Sequence, residues 1–293
     1  MPKELTHILI AQDVVKQLKG SGQQLLARVI KENLPAFFLG AIIPDAFFYY
    51  VIPFPRIPQD CVQIPRALHS KETLKNDQKA VSFFDAVAAN PCAWPLTLAF
   101  AAGIVTHTVS DRIIHGVIDH YTTTRGERGS MALASHRQIE TLIDMVLLQH
   151  SRQHPRDFRL ERLTNVDEPT EDCLFRFYLG HLIGDNTTLP LSLLKALKRA
   201  HAQQRLFLKL FTVEPVYHIL NLSNKLVGSW LKAWSTLFYP DTVGTQTFPI
   251  LHKLDLNDLT DGRSFTGTLA SLVDKVTTEA IRQINVGVRR LAT

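Results

Sequence analysis

The chain has 293 residues, 45% of them hydrophobic, enough to bury a sizeable core as one large domain. Its formal charge of +5 is spread along the chain, without the Lys/Arg block or aromatic-basic alternation of a nucleic-acid platform, although a basic surface suits phosphate-bearing substrates. Cys61, Cys92 and Cys173 form neither a disulfide framework nor a C-x-x-C knuckle and read as buried thiols; with no signal-peptide core at the amino terminus, cytoplasmic residence is expected.

Helical periodicity dominates and no segment alternates as a strand does, so the expected fold class is all-α. Helices are expected from Thr6 to Leu18 and from Gln23 to Glu32, the second stopping before Pro35. The apolar run Phe37 to Phe54 is interrupted by Pro44-Asp45, and the run Trp94 to Val105 meets His107 and Asp111 soon after. Neither offers some twenty uninterrupted apolar positions, so both are core elements rather than membrane spans. From Asp45 to Ile64 the chain is proline-punctuated and reads as an extended loop or broken turns. Helices follow at Ser70 to Ala89 and Pro95 to Tyr121, then a loop, TTTRGERGSMALA, then a helix from Ser135 to Gln149. After His150 the chain is polar and proline-broken up to Asp172. Helical patterns resume at Cys173 to Ile183, Pro190 to Phe211, Pro215 to Leu237 and Ser264 to Leu291, with YPDTVGTQTFP joining the last two. The expected organisation is a single domain, 1–293, with a metal-binding half, 1–149, and a C-terminal helical layer, 150–293.

The chemistry concentrates in AFAAGIVTHTVSDRIIHGVIDHY, where His107, Asp111 and His115 stand at i, i+4 and i+8. On a helix these positions form one stripe about 12 Å long, too long for one metal ion and suited to two. His136 and Glu140, in SHRQIETLID, form a second i, i+4 pair that can join His115. Burying an unpaired carboxylate costs several kcal/mol, and a metal cation is a partner that satisfies neutral imidazoles as well. His7, Asp45 and His69 each fall at an expected helix terminus, where a fixed backbone can project a ligand. His150 and His154 sit beside Pro155 at a fraying helix end, and His181, His201, His218 and His252 lack companions at ligand spacing. The absence of a Walker glycine loop, a G-x-S-x-G elbow and a dinucleotide fingerprint excludes nucleotide-driven and triad chemistry.

In their order, THILIA, LGAIIPDAFFY, HS, AFAAGIVTHTVSDRIIH and HRQIE resemble the zinc-dependent phospholipase C family. That family includes the catalytic domain of glycosylphosphatidylinositol-specific phospholipase D and is related to the fungal single-strand nucleases. The resemblance covers Thr6 to Asp144 and implies an all-helical fold and a zinc-dependent phosphoester hydrolase of the phospholipase C or phosphodiesterase kind. It implies a first zinc held by Asp45, His69, His107 and Asp111, and a second held by His115, His136 and Glu140, with His120 as a rival to His115. A third zinc would share Asp111 and use His7. Secreted members complete that third site with a processed amino-terminal tryptophan, and Met1, six residues before His7, offers no counterpart. Asp45 is the candidate catalytic carboxylate, orienting or deprotonating the attacking water. Arg66, Lys71 and Arg137 lie close in sequence to ligands and could reach a phosphate. The expected partner is a phosphate-ester substrate such as a phospholipid head group, with transient membrane contact. The alternatives are a nuclease or nucleotidase with the same metal cluster, and a non-catalytic metal-binding structural protein.

Overall fold

The computed structural model describes residues 3–20, 23–50, 64, 68–69, 73–87, 93–124, 129–184, 189–227, 235–240, 254–256 and 264–291. In chain order these form α1 (Glu4–Gly20), α2 (Gln24–Glu32), α3 (Leu34–Ile42), a 3₁₀ segment (Ile43–Tyr49), α4 (Thr73–Val81), α5 (Phe83–Val87) and α6 (Trp94–Thr124). There follow α7 (Gly129–His150), a 3₁₀ turn (Pro155–Asp157), α8 (Leu160–Leu163), α9 (Glu168–Ile183), α10 (Leu191–Phe211), α11 (Glu214–Val227) and α12 (Leu269–Arg290). The fold is all-α as expected, with one small addition: β1 (Leu254–Leu256) pairs antiparallel with β2 (Phe265–Gly267). Three residues a side are too few to register as alternation in sequence. Among the described residues no helix is long and apolar enough to cross a membrane.

Several boundaries differ from the expected ones for local reasons. The helix expected over Ser70 to Ala89 breaks into α4 and α5 at Ser82, whose hydroxyl lies 2.7 Å from the Lys79 carbonyl and 2.7 Å from His181 Nε2. In the expected loop TTTRGERGSMALA, residues 122–124 continue α6 and the chain is helical again from Gly129, because Met131, Ala132, Leu133 and Ala134 are good helix formers. α9 starts five residues before Cys173, where the Asp167 side chain accepts a hydrogen bond from Thr170 N at 2.9 Å and Pro169 occupies the first turn. α12 starts after β2, where Thr268 and Ser271 cap each other reciprocally. Cys173 is disulfide-bonded, which corrects the expectation of three thiols. Cys61, Cys92, His252, Arg66 and Lys71 lie outside the described residues, as do most of the proline-rich tract after Tyr50 and most of the YPDTVGTQTFP connection.

The chain divides into two compact units interleaved in sequence. One comprises Ile10–Val109, Leu160–Leu206 and Thr277–Thr293. In it α3 crosses α6 at two glycines: a Cβ on Gly40 would lie 2.2 Å from the Phe100 carbonyl oxygen, and one on Gly103 would lie 2.1 Å from that of Phe37. Only residues without a side chain permit so close a crossing. Phe37, Phe83, Phe84, Phe100, Phe175 and Tyr178 fill the surrounding core.

The other unit comprises Met1–Leu9, Ser110–Arg159 and Phe207–Val276. Leu5, Ile8, Ile114, Val117, Ile118 and Ile143 form its core, and a buried polar knot ties the start of α1 to α7. Asp144 accepts hydrogen bonds from Thr6 N at 2.8 Å, Thr6 Oγ1 at 2.5 Å and Tyr239 Oη at 2.5 Å. Lys3 lies over the rings of Tyr239 and Phe211 and donates to the Leu237 carbonyl. Burial pushes the Asp144 carboxyl up to about 6 and the Lys3 ammonium down to about 8.

Candidate metal centre

α3 ends at Ile42 and tightens into the 3₁₀ segment, which carries Asp45 in its first turn, 2% exposed. His107 is fully buried on α6, with its Nδ1 2.8 Å from the Ala41 carbonyl oxygen. A carbonyl only accepts, so Nδ1 carries the proton and Nε2 keeps its lone pair. That Nε2 lies 3.1 Å from His69 Nε2 and 3.7 Å from Asp45 Oδ1, and His69 Nε2 lies 3.1 Å from the same carboxylate oxygen. Two imidazole nitrogens and one carboxylate oxygen therefore converge in a buried spot.

Ligands of a tetrahedral zinc ion, each about 2.0 to 2.1 Å from the metal, stand about 3.3 Å from one another. The three donor atoms already have that spacing, and their chemistry is that of a zinc site. Phe48 meets the His69 ring edge-on at 5.5 Å and is half exposed, which places an accessible aromatic at the rim. Tyr178 is fully buried, and its phenol is raised above its ordinary range, first by burial and then by the charge of Asp45.

A second group forms between α6 and α7. His115 Nδ1 lies 3.0 Å from Asp119 Oδ2, His136 Nδ1 lies 4.0 Å from Asp119 Oδ1, and His136 Nε2 lies 3.0 Å from Glu140 Oε1. His115, Asp119 and His136 each offer a ligand atom within 4.8 Å of the others. This group is half-buried except for Glu140, which is buried. Glu140 is held down to about 2: burial alone would raise it, and neighbouring positive charge, His136 included, outweighs that. Asp119 is lowered in the same way, the hydrogen bond and charge of His115 and the charge of His136 overcoming burial. A site that so favours ionised carboxylates beside imidazoles also fits a divalent cation.

Asp119 is the residue that sequence reasoning missed. The signal was present, since the four-residue interval of His107, Asp111 and His115 continues by one more turn to Asp119. The rival His120 meets Tyr121 edge-on at 5.2 Å. His7 is buried on α1 with Nδ1 2.6 Å from Ser110 Oγ, the residue before Asp111, and Asp111 is half-buried on α6. Arg137 is half-buried beside His136 in sequence. His154 caps the 3₁₀ turn by accepting from Arg156 N. Of the remaining described histidines, His150 is exposed at the end of α7, while His181 has Ser82 as a neighbour, His201 has Gln204, and His218 has Glu214 at 3.8 Å.

Residues 6–185 match the family model described as zinc dependent phospholipase C. Comparison with curated proteins and with solved structures gives no match.

Proposed function

The chain belongs to the zinc-dependent phospholipase C family, and from that premise we propose that it hydrolyses phosphate diesters, a phospholipid head group being the substrate class. The observation that carries this reading is the 3.1 to 3.7 Å convergence of Asp45, His69 and His107 in a buried spot. These three residues would hold one zinc ion. His115, His136 and Glu140, joined by Asp119, would hold a second, and His7 with Asp111 would serve a third. When bound, zinc supplies a water acidified toward neutrality and positive charge for the phosphate and leaving-group oxygens.

The chain's own residues supply orientation and proton handling. The Ala41 carbonyl fixes the His107 tautomer, so its Nε2 is presented as a donor without reorganisation. Asp45 carries the carboxylate that orients the attacking water and accepts its proton. Arg137 is the described cation placed by sequence to meet a phosphate oxygen. Half-exposed Phe48 gives the second reading, a nuclease, a specific footing, because an aromatic at the rim can stack on a base as well as contact a head group. The expectation of cytoplasmic residence rests in part on three unpaired thiols, and the disulfide at Cys173 removes that ground.

The deciding experiment is elemental analysis of the purified chain with a hydrolysis screen over phosphomonoesters, phosphodiesters, phospholipids and single-stranded nucleic acid. Two or more zinc ions with phosphodiester turnover are expected. A chain that takes up no zinc on titration refutes the reading, and one tightly held ion without turnover supports a structural metal protein. Phe48→Ala sorts the substrates: a loss confined to nucleic acid would establish the nuclease.

A further inference from the structure

Gln204 lies on α10, beyond the residues matched to the family, and is fully buried. Its Nε2 donates to the Ile42 carbonyl at 3.2 Å, and its Oε1 lies 3.3 Å from His201 Nδ1. These contacts fix the amide and the imidazole together. Because Ile42 O can only accept, the NH₂ group must face it; Oε1 then faces His201, whose Nδ1 must carry the proton. His201 packs edge-on against Phe175 at 5.6 Å and is itself buried, so this donor is rigidly placed.

Ile42 closes α3 at its junction with the 3₁₀ segment, three residues before Asp45, and the next carbonyl back, Ala41 O, is the one that holds His107 Nδ1. A junction between α and 3₁₀ winding is a point where backbone geometry can shift. Two consecutive carbonyls there each take a side-chain donor, one from Gln204 and one from a candidate zinc ligand. We propose that Gln204, oriented by His201, is a positioning residue for the Asp45, His69 and His107 centre, holding the α3 junction so that Asp45 and the His107 acceptor keep their places. The inference rests on the zinc-binding reading above and extends it to a helix that the family match does not reach.

The test uses the full chain with Gln204→Met, which keeps the volume and removes both hydrogen bonds, and the pair His201→Leu and His201→Asn, the second of which keeps a donor near the Nδ1 position. Zinc affinity is measured by chelator competition, with His107→Ala and His136→Ala assigning the two ions. Gln204→Met and His201→Leu should weaken the ion lost in His107→Ala by roughly 10- to 100-fold and leave the ion lost in His136→Ala unchanged, while His201→Asn restores most of the affinity. Equal weakening of both ions, or of neither, overturns the proposal. In zinc-free protein the nitrogen NMR signature of the His107 Nδ1–H tautomer should be sharp in the wild type and broadened in Gln204→Met. This readout still decides the matter if the wild type binds no zinc at His107, an outcome that would defeat the functional reading separately. If Gln204→Met does not fold, the His201 pair carries the test, and equal affinities in Leu and Asn refute it.

Discussion

Replacing Gly103 by Ala tests whether the crossing of α3 on α6 sets the candidate metal centre. The added methyl would lie 2.1 Å from the Phe37 carbonyl oxygen and 2.9 Å from Ala41 N, both backbone atoms that no rotamer change can move aside. Restoring ordinary contact requires the two helices to separate by about 1 Å or more, at the upper end of the 1 to 3 kcal/mol typical of overpacking. Alanine returns about 1 kcal/mol of helix propensity. The same displacement stretches the 2.8 Å bond from His107 Nδ1 to Ala41 O, a buried bond worth about 1 kcal/mol. The net cost is about 3 kcal/mol, or a fall in melting temperature of roughly 6 to 12 °C. Gly180, in α9, has nothing within 4 Å of where a Cβ would stand, so Gly180→Ala serves as the control and should be neutral or stabilising. Melting is followed by circular dichroism in chelator, with zinc content measured separately. A Gly103→Ala protein that melts with the wild type and keeps its full zinc would refute the crossing as the device that sets Asp45 and His107.

Three further outcomes are expected. Because burial raises Asp144 to about 6 from 3.8, the native state binds more protons than the unfolded chain between those values, and its stabilising share is lost as pH rises through the window. Urea denaturation from pH 4 to 7 should therefore show Asp144→Asn gaining on the wild type as pH rises, by up to about 3 kcal/mol, and a difference that is flat with pH would refute this. Tyr178→Phe removes a fully buried hydroxyl that has no hydrogen-bond partner among the described residues, so it should be neutral or stabilise by about 1 kcal/mol; clear destabilisation in a melting experiment would show a partner. Asp119→Asn should lower zinc content at the α6–α7 group whereas His120→Ala should not, and equal effects would mean that the half-buried group is not a metal site.

Helices were legible in the sequence wherever an amphipathic or apolar period ran uninterrupted, as in α1, α2, α6 and α10. Legibility failed where a local choice depended on a distant partner. The break at Ser82 is held by His181, about a hundred residues away, and nothing in SFFDAV announces it. The close crossing at Gly40 and Gly103 is another such case, since an isolated glycine in a helical pattern gives no sign of what passes over it. The disulfide at Cys173 belongs to the same class, because widely spaced cysteines reveal a bond only once the fold brings them together.

The site follows the same division. Spacing of four identified the His107 to His115 stripe and the His136, Glu140 pair because helix geometry alone places those side chains on one face. Asp119 obeys that rule one turn beyond His115, whereas His120, the rival to His115, is set one residue off the stripe, where about 100° of rotation turns it away. His69 is different in kind. Its place 3.1 Å from both Asp45 and His107 depends on how the chain returns after the proline-rich tract, and no periodicity links it to either. What suits His107 to the candidate centre is the use of its two nitrogens: Nδ1 gives its proton to a helix-end carbonyl and Nε2, which keeps its lone pair, faces Asp45 and His69, whereas His154 Nδ1 accepts from Arg156 N, which leaves the proton of the neutral ring on Nε2. That assignment is decided by tertiary partners, and so the eye for spacing finds the donors while only the fold shows which of their lone pairs are left to bind.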